Sequence, residues 1–168
     1  MAAGNYFGKY RGTVKNNIDP MFMGRVQVSC PAVLGDGSLS WAMPSVPLSG
    51  KQMGVFVVPV NDAKVWVEFE GGDPDHPIYT GGFWGLGELP SDALTGMPTA
   101  PSIVLATNGK NTITLSDLPG VGGITLKASS GATIMINDLG ITIDNGKGAK
   151  ITMMGPNLDM NGGAFTVI

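Results

Sequence analysis

The sequence predicts an all-β protein in two parts, a small closed barrel followed by a repeating strand-and-turn tail, and three observations carry that prediction. Apolar residues in the last third come as doublets separated by one polar or small residue, which is the period of a strand with one buried face. Short alternating runs divided by Asn, Asp, Gly and Pro fill the first half. No segment of ten residues shows the apolar period of a helix.

The doublets are Ile113 and Leu115, Ile124 and Leu126, Ile134 and Ile136, Ile141 and Ile143, Ile151 and Met153, Leu158 and Met160, and Phe165 and Val167. Their first members are spaced by 11, 10, 7, 10, 7 and 7 residues, with turn residues between most of them. Such a repeat reads as a β-solenoid, which gains its core only by stacking, and about three full repeats are needed for stability. At three strands to a coil, one chain supplies too few coils and leaves both ends open. Three copies around one axis would give a prism roughly 30 Å tall at about 4.8 Å per layer. Each inward side chain would then collect about 1.5 to 3 kcal/mol of burial. The tail, 106–168, is therefore expected to be an intertwined homotrimeric triple-stranded β-helix, a β-prism, with those fourteen residues as its core.

Residues 1–87 read as the barrel. Tyr6 to Lys15 and Arg25 to Cys30 alternate across a turn at Asn16, Asn17, Asp19 and Pro20, and Val55 to Val58 is a third run. Lys64 to Glu70 places Val65, Val67 and Phe69 on one face and Trp66, Glu68 and Glu70 on the other. Ile78 to Trp84 follows the turn Gly71-Gly72-Asp73-Pro74, while Ser40 to Val46, with Pro44, reads as an edge or irregular strand. Five or six short strands suit an OB-type barrel, with an SH3-like barrel as the alternative. Residues 88–105, with Pro90, Pro98 and Pro101, read as an extended linker.

Composition narrows the function. Gly at 26 and Pro at 12 of 168 residues is about twice the usual share, and charged residues are 14% against about a quarter, which fits a rigid β-rich object. A net charge of −3, with neither half basic, argues against a nucleic-acid partner. The single Cys30 excludes an intrachain disulfide; in the alternation Val26, Val28, Cys30 it reads as a small core residue. Lys9, Arg11 and Lys15 interrupt any leader-like apolar run, and no stretch reaches the length of a membrane span, so synthesis in the cytoplasm is expected.

The wording of the barrel is specific. Tyr10-Arg-Gly-Thr-Val-Lys-Asn-Asn-Ile-Asp-Pro20, then Gly24-Arg25-Val26-Gln27-Val28, Trp41-Ala42-Met43-Pro44, Val65-Trp66-Val67-Glu68-Phe69-Glu70-Gly71-Gly72-Asp73-Pro74 and Pro77-Ile78-Tyr79-Thr80-Gly81 closely resemble one family. That family is the central spike proteins of contractile injection systems: phage baseplate assembly protein V, the OB domain of the phage T4 tail lysozyme hub, and the VgrG spike of type VI secretion. Its motif positions here are Asp19, Pro20, Gly24, Arg25, Val26, Pro44, Val67, Phe69, Gly72, Asp73 and Pro74. The resemblance implies a ring of OB barrels on a trimeric needle, docked to a baseplate hub and driven through a target envelope on sheath contraction. It further implies a PAAR-like tip protein at the C-terminal end, on Phe165, Thr166, Val167 and Ile168. Large spikes of the family have tube-hub domains before the barrel or a lysozyme between barrel and needle. Few residues precede this barrel and its linker is too short for a lysozyme, so a short form belonging to a virion tail or an injection particle is expected, touching the target membrane only in passing.

Residues that could carry chemistry have plainer roles open to them. His76 with Asp73 and Asp75 could hold a metal, but a solvated turn is the stronger reading. Trp41, Trp66, Tyr79, Phe83 and Trp84 could stack a sugar, and an oligosaccharide-binding OB module is one alternative function; a trimeric tail fibre or host-binding protein is the other. Asp62 with Glu68 or Glu70 could pose as paired carboxylates, yet exposed charges are favoured. Gly120, Gly122 and Gly123 read as turn residues. A Ser-His-Asp or Cys-His device would have to use His76 or Cys30, so no enzyme activity and no cofactor are expected. An ion on the three-fold axis would need Asn157, Asn161 or Asp159 turned inward by a shift of register near Pro156.

Overall fold

The computed structural model describes residues 5–167, and side chains through residue 165. It contains two compact units that divide between Gly87 and Glu88. Nearly all regular structure in both is strand.

The first unit is built on β1 (Tyr10–Asn16), β2 (Val26–Ser29) and β3 (Ser40–Pro44). A two-residue hairpin, β4 (Ser49–Gly50) and β5 (Met53–Gly54), precedes β6 (Lys64–Phe69) and β7 (Pro77–Gly82). Five of these close a barrel in the order β1-β2-β3-β7-β6, antiparallel except where β3 runs parallel to β7. Alternation sorts the side chains as the sequence requires: Val14, Val26, Val28, Ala42, Val65 and Val67 are at most 1% exposed, and Phe69 and Tyr79 close the core. Trp66 and Glu68 lie on the outer wall between those buried neighbours. Tyr10 packs edge-on against Tyr6 and Phe69, and Tyr6 lies tilted against Phe69, at ring separations of 5.7 to 6.3 Å.

Two expectations for the barrel change. Val55 to Val58 is not a strand; the run is exposed through Val57 and belongs to a long loop, because one side of it meets solvent rather than a paired neighbour. Ser40 to Pro44 is an integral stave rather than an irregular edge: Pro44 lacks an N–H but stands at the strand's last position, where the ladder ends. One turn of helix, α1 (Pro31–Leu34), begins on a proline at its first position, and Val33 and Leu34 pack on the core.

The second unit contains β8 (Ile103–Ala106), β9 (Thr112–Ser116), β10 (Gly123–Lys127) and β11 (Thr133–Asn137). It continues with β12 (Gly140–Asp144), β13 (Lys150–Met154), β14 (Asn157–Met160) and β15 (Phe165–Val167). All seven doublets fall on strands. The pairing is an antiparallel meander in one sheet, each strand bonded to its own neighbours in sequence, and not the winding of successive strands onto successive faces that a solenoid or an intertwined β-helix requires. Connection length explains the difference. Doublets 7 to 11 residues apart leave only short links, and links of that length form hairpins between adjacent antiparallel strands.

An eighth strand also appears. Residues 103–106, of which the sequence assigned 103–105 to the linker and 106 to the tail, pair with β9 as the first stave of the sheet, and before them Ser91–Leu94 forms a single 3-10 turn. Asp92 of that turn accepts a 3.0 Å hydrogen bond from Thr112 Oγ1.

Candidate functional site

The functional feature of the second unit is one face of its sheet. Register places Ile103, Leu115, Ile124, Ile136, Ile141, Met153 and Leu158 in one unbroken cross-strand column. A second column runs beside it through Leu105, Ile113, Leu126, Ile134, Ile143, Ile151, Met160 and Phe165. Thirteen of the fourteen expected core residues thus share one face; Val167 pairs with Leu158 by backbone register, and its side chain lies outside the described residues. Val104, Thr114, Thr125, Met135, Thr142, Thr152 and Asp159 form the middle column of the opposite face, four of them Thr.

Turn chemistry holds that register. Asn137 Oδ1 accepts from the Leu139 amide at 3.0 Å, and Asp144 Oδ1 from Gly146 at 2.7 Å. Asn145 Oδ1 accepts from Lys147 and Ala149, and Asn161 Oδ1 from Lys150. The Asx turns at Asn137, Asp144 and Asn145 fix the lengths of their hairpins, the Asn161 bond ties β13 to the end of β14, and a slip of one residue would move a whole doublet to the other face. At Gly140, with φ of +141°, a Cβ would collide with the Met153 carbonyl, so the start of β12 admits no other residue without displacing β13.

Among the described residues nothing covers this aliphatic face. Ile113, Leu115, Ile124, Leu126, Ile134, Ile136 and Ile143 remain 40 to 45% exposed, and the second column lies in an open trough overhung by turns 128–132 and 145–149. A soluble monomer rarely leaves so long an apolar surface bare. The register near Pro156 does not shift: Asn157 pairs with Met154, and Asp159, paired with Thr152, stays in the Thr column. Thr166 and Val167 contribute backbone to β15, and Ile168 of the expected tip lies outside the described residues.

The barrel's motif positions serve its architecture. Asp19 sits at a turn with Pro20, and its carboxylate accepts from the amides of Met21, Met23 and Arg25 at 3.0, 2.8 and 3.2 Å. Arg25 Nε and Nη2 grip its Oδ1 at 3.1 and 2.8 Å, with only 5% of the Asp19 side chain exposed. The Arg25 guanidinium, aided by those amides, holds the Asp19 carboxyl well below the usual carboxylate range. Gly24 takes φ of +75°, and its carbonyl receives the Tyr79 hydroxyl at 2.7 Å. Gly72, at φ of +80°, accepts the Tyr6 amide through its carbonyl at 2.9 Å. Asp73 accepts from the Asp75 amide, which lowers its pKa first, and lies 3.2 Å from His76 Nδ1. Val26, Val67 and Phe69 are core, Pro44 ends β3, and Pro74 stands in the 73–76 turn.

The remaining candidates are dispersed. Trp66 stacks on Phe83 with ring centroids 4.7 Å apart, and Arg11 lies over both, so that pair is already covered on one side. Trp41 lies beneath Arg25, Tyr79 is buried and Trp84 is 65% exposed. Asp62 pairs with Lys15 and Glu68 with Lys9, each at 2.8 Å, so these carboxylates do not face one another, and Glu70 begins a 3-10 turn. Gly120 and Gly122 lie in a turn whose Gly122 amide bonds the Leu118 carbonyl, and Gly123 begins β10. Cys30 is fully buried, and burial pushes its thiol pKa up. Among the described residues no three His, Cys, Asp or Glu side chains converge on a point that could hold a metal. No helix there is long and apolar enough to cross a membrane.

Sequence reasoning missed Ile103 and Leu105, which lengthen both columns by one strand. Their own apolar-x-apolar spacing after Pro101 was the available signal.

Comparison with known families agrees with both units. The model of the type VI secretion system/phage-baseplate injector OB domain matches residues 10–84, and that of the phage baseplate V C-terminal trimerisation domain matches residues 102–166. No curated protein matches the chain at a significant level. With a closed five-stranded barrel under the first match, and under the second an aliphatic sheet face that the described residues leave bare, the chain belongs to the phage baseplate V family, as a trimeric structural component of an injection-system baseplate and spike.

Proposed function

We propose that this protein is the central needle of a contractile phage tail or a phage-tail-like particle. One observation carries the reading: two in-register aliphatic columns run the length of the sheet, and among the described residues nothing covers them. Three such sheets, one from each protomer, bury these faces against one another around a common axis. The closed prism has no free lateral strand edge, so thrust along the axis is borne by paired backbone throughout. Sheath contraction drives it through the target envelope, with membrane contact confined to that passage.

At the barrel end the spike docks to a hub protein of the baseplate. In the second unit β15 is a terminal strand of the sheet with one edge unpaired among the described residues, and a PAAR-like protein caps it. The work is mechanical, with no catalytic step and no cofactor. Native mass spectrometry of the full chain should give three times 17.4 kDa, and a stable monomer would end this reading. Size-exclusion chromatography with a purified PAAR-like protein should give a joint peak; separate elution would remove the cap from the scheme.

A further inference from the structure

The barrel carries a second bare apolar surface, and its position identifies what covers it. The β1–β2 turn projects Met21, Phe22 and Met23, with Phe22 95% exposed, and the loop between β3 and β6 brings Leu48, Met53 and Phe56 alongside to line one cleft. Phe22 holds a left-handed backbone at φ of +54°. A bulky side chain there is strained, and such strain persists where the surroundings impose it, commonly at ligand clamps. Here the five hydrogen bonds to the Asp19 carboxylate, with the Phe22 amide donating to the Asp19 carbonyl at 3.1 Å, impose it, so the clamp spends a buried carboxylate on presenting an aromatic ring to water.

We infer that the Met21-Phe22-Met23 turn and the facing Leu48–Phe56 loop form the surface by which each barrel packs against the barrel of a second copy in the trimer. This rests on the trimeric reading and adds to it a named contact. Two arguments select a second copy over an unrelated partner. Strand directions put the β1–β2 turn, the β3–β6 loop and the end of β7 at the same end of the barrel, so the bare surface flanks the point where the chain leaves for the trimerisation domain. That domain holds two other barrels on short tethers, at effective concentrations of about millimolar, where even a modest apolar surface is filled. The surface also lacks charge with which to select a foreign partner: Asp19 is consumed internally, and Lys51 is the one ionisable residue of the 45–60 loop.

A three-fold contact is heterologous, so the surface meets a different face of the next barrel. The outer wall of Trp66 and Phe83, stacked and braced by Arg11, offers aromatic rings to the Met side chains.

The test places a photo-crosslinking phenylalanine at position 22 of the full chain, with position 75 in the exposed turn at the other end of the barrel as control. Irradiated trimer should give denatured bands at two and three times 17.4 kDa for position 22 and none for position 75, with the linked peptide from the neighbour's barrel. A native trimer giving no interchain band at position 22 overturns this contact and leaves the trimeric reading standing; a native monomer overturns both. Phe22→Asn supplies an independent sign. Asn tolerates the left-handed backbone, so on a free surface it would raise the melting temperature of the full chain. A lower melting temperature is expected from the lost contact, and a rise or no change refutes it.

Discussion

Replacing Ile134 by Asp should convert the trimer to monomer. Ile134 lies in the second column between Leu126 and Ile143 and is 40% exposed in the lone chain. Burying that remainder yields about 0.6 to 1.2 kcal/mol, taking full burial of Ile as about 1.5 to 3 kcal/mol. The variant loses this and brings an unpaired carboxylate into a dry layer, at a cost of several kcal/mol for each ion. Over three equivalent positions the penalty is on the order of 10 kcal/mol, about seven decades in the association constant. Native mass and light scattering at micromolar protein should therefore report about 17.4 kDa instead of its triple. Crowded, desolvated carboxyls have raised pKa values, so the neutral form favours assembly and trimer should return as the pH falls. Thr142→Asp is the control, because Thr142 stands on the opposite face and should stay trimeric. An Ile134→Asp trimer that survives dilution as the parent does, or a Thr142→Asp variant equally dissociated, would refute the assignment of faces.

Three further outcomes concern the barrel. Gly12→Ala should destabilise it by about 1 to 3 kcal/mol in chemical denaturation, since the new methyl would stand 2.6 Å from Cγ2 of the fully buried Val67. Asp19 has a depressed pKa in the folded state, so its contribution is present above the unfolded value of about 3.9 and is lost only as the pH falls through the lower folded value. Asp19→Asn should accordingly be less stable than the parent at neutral pH, with the two stability curves converging in strong acid. The buried Cys30 thiol, with its pKa raised, should resist a thiol reagent at pH 8 in the native state and react fully once the barrel is unfolded.

The columns of the tail were legible because each doublet needs only two neighbouring residues to declare its face, and every one of the seven falls on a strand. What the doublets could not declare was which strand each would pair with. The same spacing serves a coil and a hairpin, and only the Asx turns at Asn137, Asp144 and Asn145 distinguish them, through hydrogen bonds that composition does not display. In the barrel, Val65, Val67 and Phe69 revealed their side by alternation. Val55 to Val58 misled because β-branched residues look the same whether they enter a ladder or face an absent neighbour. The motif around Asp19 was visible as a string, but its work depends on Arg25 folding back over six residues to reach the same carboxylate.

Because every stave of the tail bonds to the stave made just before it, the sheet can zip hairpin by hairpin as the polypeptide is synthesised, with no threading of one subunit through another. Protomers would meet as finished plates, leaving no topological lock to undo before they part. The hazard lies in the interval before they meet, when each plate shows a greasy flank to water, so the yield of intact trimers should rise with the rate of encounter and fall with time spent alone.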